Sequence, residues 1–127
     1  MANSMKDLVA DARTRVSTVS PADAMSAAGE GALILDVREP AELESNGRVA
    51  GALNVPRGIL ETRADESMPT AEASLVAQKS GGTVHVLCAS GGRAALAADT
   101  LRGMGYEATI IEGGIQGWIS AGLPVEG

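Results

Sequence analysis

The chain is poor in cysteine, histidine and aromatic residues. Of its 127 residues, Cys88 is the single cysteine and His85 the single histidine, and phenylalanine is absent. One cysteine excludes an internal disulfide, and one cysteine with one histidine excludes a structural zinc site of the usual kind. Trp118 and Tyr106 are the only aromatic residues. The core must therefore be built from Leu, Ile, Val, Ala and Met.

The chain also lacks an excess of positive charge and any long apolar run. The net charge of −6 argues against nucleic acid and anionic membranes as partners, but not against a small anion bound at a local site. No stretch reaches the length of a membrane span, and the N-terminus lacks the pattern of a signal peptide. A lone reactive thiol is most easily kept reduced in the cytoplasm, which we therefore expect as the location.

Apolar periodicity and turn residues predict one domain in which strands and helices alternate. Helices are predicted at residues 5–16, after Ser20 and Pro21, and at 40–45, 94–104 and 114–120, with a weaker signal at 75–79. Strands are predicted at 32–37, 53–56, 83–87 and 108–111, while the remainder of 57–82 is hard to interpret. The alternation indicates an α/β fold with a largely parallel sheet. We expect residues 1–19 to form an N-terminal extension and residues 20–127 a single domain.

The most informative segment follows the apolar run at 83–87. It consists of Cys88, four small residues, Arg93 and an alanine-rich helix; the four small residues are Ala89, Ser90, Gly91 and Gly92. Backbone N–H groups in such a strand–loop–helix turn, with the positive end of the helix, converge on an anion. The same field favours a thiolate over a thiol. The segment therefore predicts nucleophilic chemistry at Cys88.

Three further motifs accompany this loop, and they are Leu35-Asp36-Val37-Arg38-Glu39-Pro40, Gly47-Arg48-Val49-Ala50-Gly51-Ala52-Leu53-Asn54-Val55-Pro56 and Glu112-Gly113-Gly114-Ile115-Gln116-Gly117-Trp118. Together the four motifs resemble those of the rhodanese family of sulfurtransferases over roughly residues 20–126. The stretch Pro56-Arg57-Gly58-Ile59-Leu60-Glu61 is similar to a signature of stand-alone bacterial members.

The resemblance implies a three-layer α/β sandwich around a five-stranded sheet. It also implies a reaction: sulfane sulfur moves from thiosulfate or another persulfide donor to cyanide or a thiol, with Cys88 carrying it as a persulfide. The acceptor can be a small thiol or a protein thiol such as a thioredoxin. Neither a metal nor an organic cofactor is implied, because backbone amides and the helix dipole stabilise the anionic intermediate.

The resemblance implies that the loop binds the substrate, and the candidate substrate-binding residues are Ala89, Ser90, Gly91, Gly92 and Arg93. Gly91 and Gly92 permit the backbone conformations of a tight ring. Arg93 has two alternative roles, holding the loop or holding the sulfonate oxygens of the substrate, and both are compatible.

Six residues near the motifs are weaker candidates for a role in the site. Asp36 and Arg38 line the site or, as we favour, form an ion pair that locks the loop. Arg57, with Glu61, either lies at the rim of the site or forms a solvated pair. Trp118 is expected in the core or in a pocket wall. His85, on a strand and three residues before Cys88, is expected to point elsewhere and to be a sheet residue rather than a base.

Two departures from the family pattern and two rival functions remain. The family often has histidine where this chain has Arg48 and serine where it has Ala94, which puts activity or donor preference in doubt.

The rival enzyme class is that of cysteine phosphatases and arsenate reductases, which place five residues between cysteine and arginine, whereas this loop has four. A non-catalytic binding or regulatory module of the same fold is the other alternative, although inactive members typically lack the cysteine.

Overall fold

The computed structural model describes residues 2–127 and confirms the α/β fold. One parallel sheet contains β1 (Thr18–Val19), β2 (Leu33–Asp36), β3 (Leu53–Asn54), β4 (Thr83–Leu87) and β5 (Glu107–Ile111). The strands lie in the order β1-β5-β4-β2-β3, and all four pairings are parallel. Because β4 lies in the centre, the loop after it opens at the carboxyl edge of the sheet, where ligands bind in folds of this type.

Seven α-helices accompany the sheet: α1 (Met5–Arg13), α2 (Pro21–Ala28), α3 (Pro40–Asn46), α4 (Leu60–Ala64), α5 (Ala73–Val76), α6 (Gly92–Gly103) and α7 (Gly114–Ser120). Two short 3-10 turns, Arg57–Ile59 and Ala77–Lys79, complete the segment that was hard to interpret. Within residues 2–127, none of these helices has both the length and the apolar character needed to cross a membrane.

The helix ends follow the local sequence closely. Ser20 caps α2, its side chain accepting the Asp23 N–H at 3.1 Å, with Pro21 at the first helical position. Gly105 follows α6 with φ +98°, a conformation that favours glycine. The prediction for α1 was too long at its end. The helix stops at Arg13, and the Thr14 hydroxyl donates to a carbonyl of the last turn, before the chain extends into β1.

Alternation along the strands divides the core into two apolar layers. Leu35, Val84, Val86 and Ile110 pack with the alanines of α6 on one face. Ile34, Leu87 and Ile111 pack with α2 and α7 on the other. The result is the three-layer sandwich with helices on both faces of the sheet. Cys88 belongs to the layer of α6.

Strand β1 was not predicted from the residue pattern, which gave four strands. It has only two residues, and their pairing with Ile110 and Ile111 of β5 places them in the sheet. Two residues carry no measurable periodicity, so only this tertiary pairing defines the strand.

Candidate active site

Cys88 lies between the end of β4 and the start of α6 and is almost fully buried, with 1% of its surface exposed. The backbone N–H of Gly91 donates to Sγ of Cys88 at 3.0 Å. Gly91 is the N-cap of α6 and has φ +122°, which a residue with a Cβ rarely adopts. The loop therefore bends back on itself so that its own amide contacts the sulfur.

Helix α6 begins closer to the Cys88 sulfur than the sequence predicted. Helix α6 begins at Gly92, two residues earlier than the predicted start, so Gly92 and Arg93 belong to its first turn. N–H groups of a first turn lack acceptors within the helix and point past its N-terminus, where the helix dipole is positive. Among the five loop amides expected around the sulfur, the structure shows a hydrogen bond to Sγ from Gly91.

The N-terminus of α7 holds the loop from its other side. The N–H of Ile115 donates to the Cys88 carbonyl at 2.7 Å, and the N–H of Gln116 donates to the Ala89 carbonyl at 3.3 Å. Gly114 allows this approach. A Cβ there would overlap the Cys88 carbonyl oxygen and lie 2.6 Å from the Ala89 carbonyl oxygen. The last motif therefore fixes the backbone on which the thiol is carried.

Asp36 and Arg38 form the buried ion pair that the sequence analysis favoured. Arg38 Nη2 lies 2.7 Å from Asp36 Oδ2 and also donates to the Gly47 carbonyl at 3.0 Å. The Asn54 side chain donates to the carbonyls of Asp36 and Arg38 at 3.0 and 2.9 Å. These contacts join the chain segments after β2 and around β3. They lie beside the end of β4, because Asp36 pairs with Leu87 in the sheet.

Arg93 is bound by Glu42 of α3, a residue that the sequence analysis did not identify. Its Nη1 and Nη2 donate to the two carboxylate oxygens at 2.7 and 2.8 Å, a bidentate pair about two-thirds buried. Hydrogen bonding to Arg93 lowers the pKa of Glu42 to about 2, and the same contact raises the pKa of Arg93. This contact ties the first turn of α6 to α3.

Arg57 lies away from the loop. Its Nη1 is 3.1 Å from Glu61, which forms the predicted pair, and its Nη2 donates to the Thr100 hydroxyl at 3.1 Å. Thr100 is eight residues beyond Gly92 on α6, about 12 Å along the helix axis. Arg57 therefore joins the 57–64 segment to the middle of α6.

His85 and Trp118 both belong to the layer of the sheet opposite α6. His85 Nδ1 lies 2.6 Å from the Thr109 hydroxyl, and burial lowers the pKa of the imidazole. Trp118 is 1% exposed and donates its indole N–H to the Pro124 carbonyl at 3.0 Å. It also lines a cavity of about 280 Å³ together with Ile34 and Val49. The structure thus gives His85 and Trp118 packing contacts and places neither in contact with Cys88.

The two departures from the family pattern lie in different surroundings, and the structure gives a packing reason only for Ala94. Arg48 makes a two-way backbone bridge with Glu126 through N–H···O contacts of 2.8 and 2.7 Å, and its side chain is exposed. Ala94 is fully buried in the apolar layer of α6. At this position, small apolar volume suits the packing, and a hydroxyl would need a partner.

Sequence reasoning missed Glu42, Asn54 and Arg13. Glu42 carried one local signal, the capping box that it forms with Glu39 at the start of α3, but nothing in the sequence linked it to Arg93. Arg13 follows Met5 and Val9 at intervals of four residues, which places the three on one helix face. That face lies against the Cys88 loop: a Cβ on Gly91 would be 3.0 Å from Arg13 Nη2, and a Cβ on Gly92 would be 3.4 Å from the Met5 methyl.

Comparison with known proteins identifies the family. The sequence profile of the Rhodanese-like domain matches residues 19–121. The chain therefore belongs to the rhodanese-like domain family, as its motifs predicted, and its five-stranded parallel sheet with flanking helices is the fold of that family. A search of curated proteins found no match.

Solved structures share the fold, and their described activities differ. A protein of unknown function from Rhodopseudomonas palustris, described as a possible tyrosine phosphatase, is 32% identical with TM-score 0.89, over 99% of this chain and 96% of that one. The polysulfide-sulfur transferase homodimer of Wolinella succinogenes is 34% identical with TM-score 0.70, over 94% and 85%. The thiosulfate sulfurtransferase of Pseudomonas aeruginosa is 28% identical with TM-score 0.68, over 88% of this chain and 19% of that one. Rhodanese-fold neighbours of this chain thus include sulfurtransferases.

Proposed function

We propose that this chain is a sulfurtransferase that takes sulfane sulfur from thiosulfate or a persulfide donor and passes it to cyanide or a thiol acceptor. The observation that carries the proposal is the hydrogen bond from the Gly91 N–H to Cys88 Sγ at the N-terminus of α6. An amide and a helix dipole at that point stabilise a negative sulfur without a metal or cofactor. The two neighbours described as sulfur transferases support the same class of chemistry, whereas the description of the Rhodopseudomonas palustris protein favours the rival phosphatase class.

The reaction needs two displacements at sulfur. In the first, the electron pair of the Cys88 thiolate forms a bond to the outer sulfur of thiosulfate, and the S–S bond of thiosulfate breaks. Sulfite leaves with the electron pair of the broken S–S bond, and Cys88 becomes a persulfide anion. In the second, cyanide or a thiolate attacks the terminal sulfur, which leaves as thiocyanate or a new persulfide and returns Cys88 to its thiolate. Total charge is conserved in each step.

The protein supplies position and electrostatics for both steps. The Gly91 N–H lies where charge is held on Sγ, and the first-turn amides of Gly92 and Arg93 point past the helix end toward the added sulfur. Ala89 and Ser90 complete the ring of small residues. The ion pairs Asp36–Arg38 and Glu42–Arg93 would keep that ring rigid.

The proposed acceptor includes protein thiols such as a thioredoxin, and the proposed location is the cytoplasm, where the Cys88 thiol stays reduced.

The loop favours sulfur over phosphate as the anion. Four residues separate Cys88 from Arg93, and both terminal nitrogens of Arg93 are bonded to Glu42 rather than free for a phosphate. A phosphatase would need that guanidinium on its substrate. Turnover of p-nitrophenyl phosphate that depends on Cys88 would overturn the assignment in favour of a phosphatase.

Intact-mass measurement after thiosulfate treatment tests the proposal. We expect the wild-type protein to gain the mass of one sulfur atom and to lose it on addition of cyanide. Because Cys88 is the single cysteine, the gain can be assigned to it, and Cys88→Ser should abolish it. Matching thermal unfolding of wild type and Cys88→Ser is the control for the fold, with Cys88→Ala as a second variant. Wild-type protein that takes no sulfur from any donor in a panel would support the binding-module alternative instead.

A further inference from the structure

Helix α1 lies directly against the candidate active-site loop. A Cβ built on Gly91 would lie 3.0 Å from Nη2 of Arg13, so the Arg13 guanidinium is beside the residue whose amide binds Cys88 Sγ. One turn and two turns earlier on the same helix face, Val9 and Met5 approach Gly92, at 3.8 and 3.4 Å from its Cβ position. The loop is therefore covered from one side by three residues of α1.

This position of α1 is fixed by other contacts. Ala12 is buried against the core, with 1% of its surface exposed. Arg15 donates from Nε and Nη2 to both carboxylate oxygens of Asp99 on α6, at 2.8 Å each. Ser4 and Asp7 form a capping box at the helix start. Arg13 therefore lies beside the loop because its helix is docked there.

Arg13 differs from the other cations near the loop in having no carboxylate partner. Arg93 is bound by Glu42 and Arg38 by Asp36. Arg13 is exposed and, among residues 2–127, makes neither a side-chain hydrogen bond nor an ion pair. Its guanidinium is therefore the cation beside the loop that is available to a substrate.

A cation in such a place would favour the displacement at sulfur, because both the thiolate and the donor are negatively charged. Cys88 attacks the outer sulfur in line with the bond that breaks, so the sulfonate end of the donor points away from Sγ, out of the loop. Groups within the loop reach the transferred sulfur, whereas the sulfonate must be bound by a group that flanks the loop. A guanidinium presents several N–H donors in a planar fork that suits two oxygens of one anion.

We propose that Arg13 binds the oxyanion end of the sulfur donor and so determines the affinity for thiosulfate and similar sulfonate-bearing donors. The proposal rests on the proposed sulfurtransferase function. The proposal also gives residues 1–19 a role in the site through Arg13, which lies before the part of the chain that matches the family profile, residues 19–121. Because the sulfonate charge passes to the leaving sulfite, the Arg13 cation favours both binding and departure.

Persulfide formation measured against thiosulfate concentration tests this role. Arg13→Ala should raise the half-saturating thiosulfate concentration about ten-fold, the lower end for a charge-assisted hydrogen bond at an exposed site. Arg13→Lys should recover part of the loss. Lys6→Ala is the matched control, since Lys6 is an exposed cation on α1 without a side-chain partner among residues 2–127 and its removal changes net charge equally. An equal rise in Lys6→Ala, or no rise in Arg13→Ala, would overturn the proposal.

A second measurement does not need sulfur transfer. Iodoacetate and iodoacetamide alkylate the same thiol, but one is an anion and the other is neutral, so the ratio of their rates reports a cation near Cys88 and cancels changes in access. We expect Arg13→Ala to lower this ratio about two-fold or more, and Lys6→Ala to leave it unchanged. An unchanged ratio in Arg13→Ala would show that the Arg13 charge does not act on an anion at Cys88, and would refute the proposal. If wild-type protein takes no sulfur but Arg13→Ala lowers the ratio, the proposed function fails while the anion-binding role of Arg13 stands.

Discussion

Glu42→Gln tests whether the Glu42–Arg93 pair holds the Cys88 loop in place. The substitution keeps the size of the side chain and one acceptor oxygen. Oε2 of Glu42 now accepts from Arg93 Nη1 and from the Glu39 N–H, at 2.7 and 2.8 Å, and an amide oxygen can keep both contacts. What is lost is the negative charge and the second contact to Arg93 at 2.8 Å. The change therefore isolates the charged half of a bidentate pair.

The expected loss of stability follows from the pKa of Glu42. A fall of the pKa from 4.5 to about 2 corresponds to about 3–4 kcal/mol at most. Side chains about 30% exposed are screened by water, so we expect Glu42→Gln to lower the free energy of unfolding by about 1–2 kcal/mol near pH 7. Because the carboxyl pKa is lowered in the folded state, this stabilisation is complete above pH 4.5 and is lost as pH falls toward 2.

Urea unfolding of both proteins at a series of pH values gives the measurement. The difference between wild type and Glu42→Gln should be largest near pH 7 and shrink progressively below about pH 4.5. Glu44→Gln is the control, because Glu44 lies on the same helix and is exposed. A difference that is constant down to about pH 3, or an equal loss in Glu44→Gln, would refute the reasoning.

Two further predictions concern the elements that flank the loop. Gly114→Ala should destabilise the protein by about 2–4 kcal/mol and impair persulfide formation, because the new Cβ meets the Cys88 and Ala89 carbonyls. In contrast, Gly122→Ala, with φ +77° but open space around it, should cost only about 1 kcal/mol in urea unfolding, and equal losses would rule out the close contact as the cause. Asp99→Asn removes the charge that anchors Arg15 and should raise the iodoacetamide alkylation rate of Cys88 up to about five-fold, since α1 opens more often. Asp11→Asn removes the other carboxylate contact of Arg15, which does not involve α6, and should leave that rate near wild type; no difference between the two variants would contradict the covering role of α1.

The sequence predicted most of the fold because its signals were local. Ser20 with Pro21, Gly105 and the apolar runs at 83–87 and 108–111 each specify an element without help from distant residues. Strand β1 and the 57–82 segment depended instead on tertiary contacts, such as the bond from the Tyr106 hydroxyl to the Ala64 carbonyl at 2.6 Å. Strand β3 is equally short but is followed by Pro56, whereas β1 has neither an apolar run nor a turn residue of its own, so only its pairing with β5 defines it.

The candidate site divides in the same way. Cys88, Gly91 and Arg93 lie within six consecutive positions, so the loop and the helix after it could be recognised from one segment. Glu42 is 51 residues from Arg93, and Arg13 reaches Gly91 only because α1 docks on α6. Contacts of this kind depend on which helix faces meet. The sequence therefore located the candidate nucleophile, and the charges around it required the structure.

Those charges also bear on which anion the loop can stabilise. Arg38 and Arg93 each face a carboxylate, so their fields largely cancel near Cys88. What remains on the sulfur is the Gly91 amide, the N-terminus of α6 and the guanidinium of Arg13 beside the loop. A persulfide carries a single negative charge, whereas a phosphate group carries close to two and needs more cationic neutralisation. We therefore expect a site of this kind, with backbone dipoles and one flanking cation, to stabilise a persulfide on Cys88 better than a phosphate group on the same sulfur.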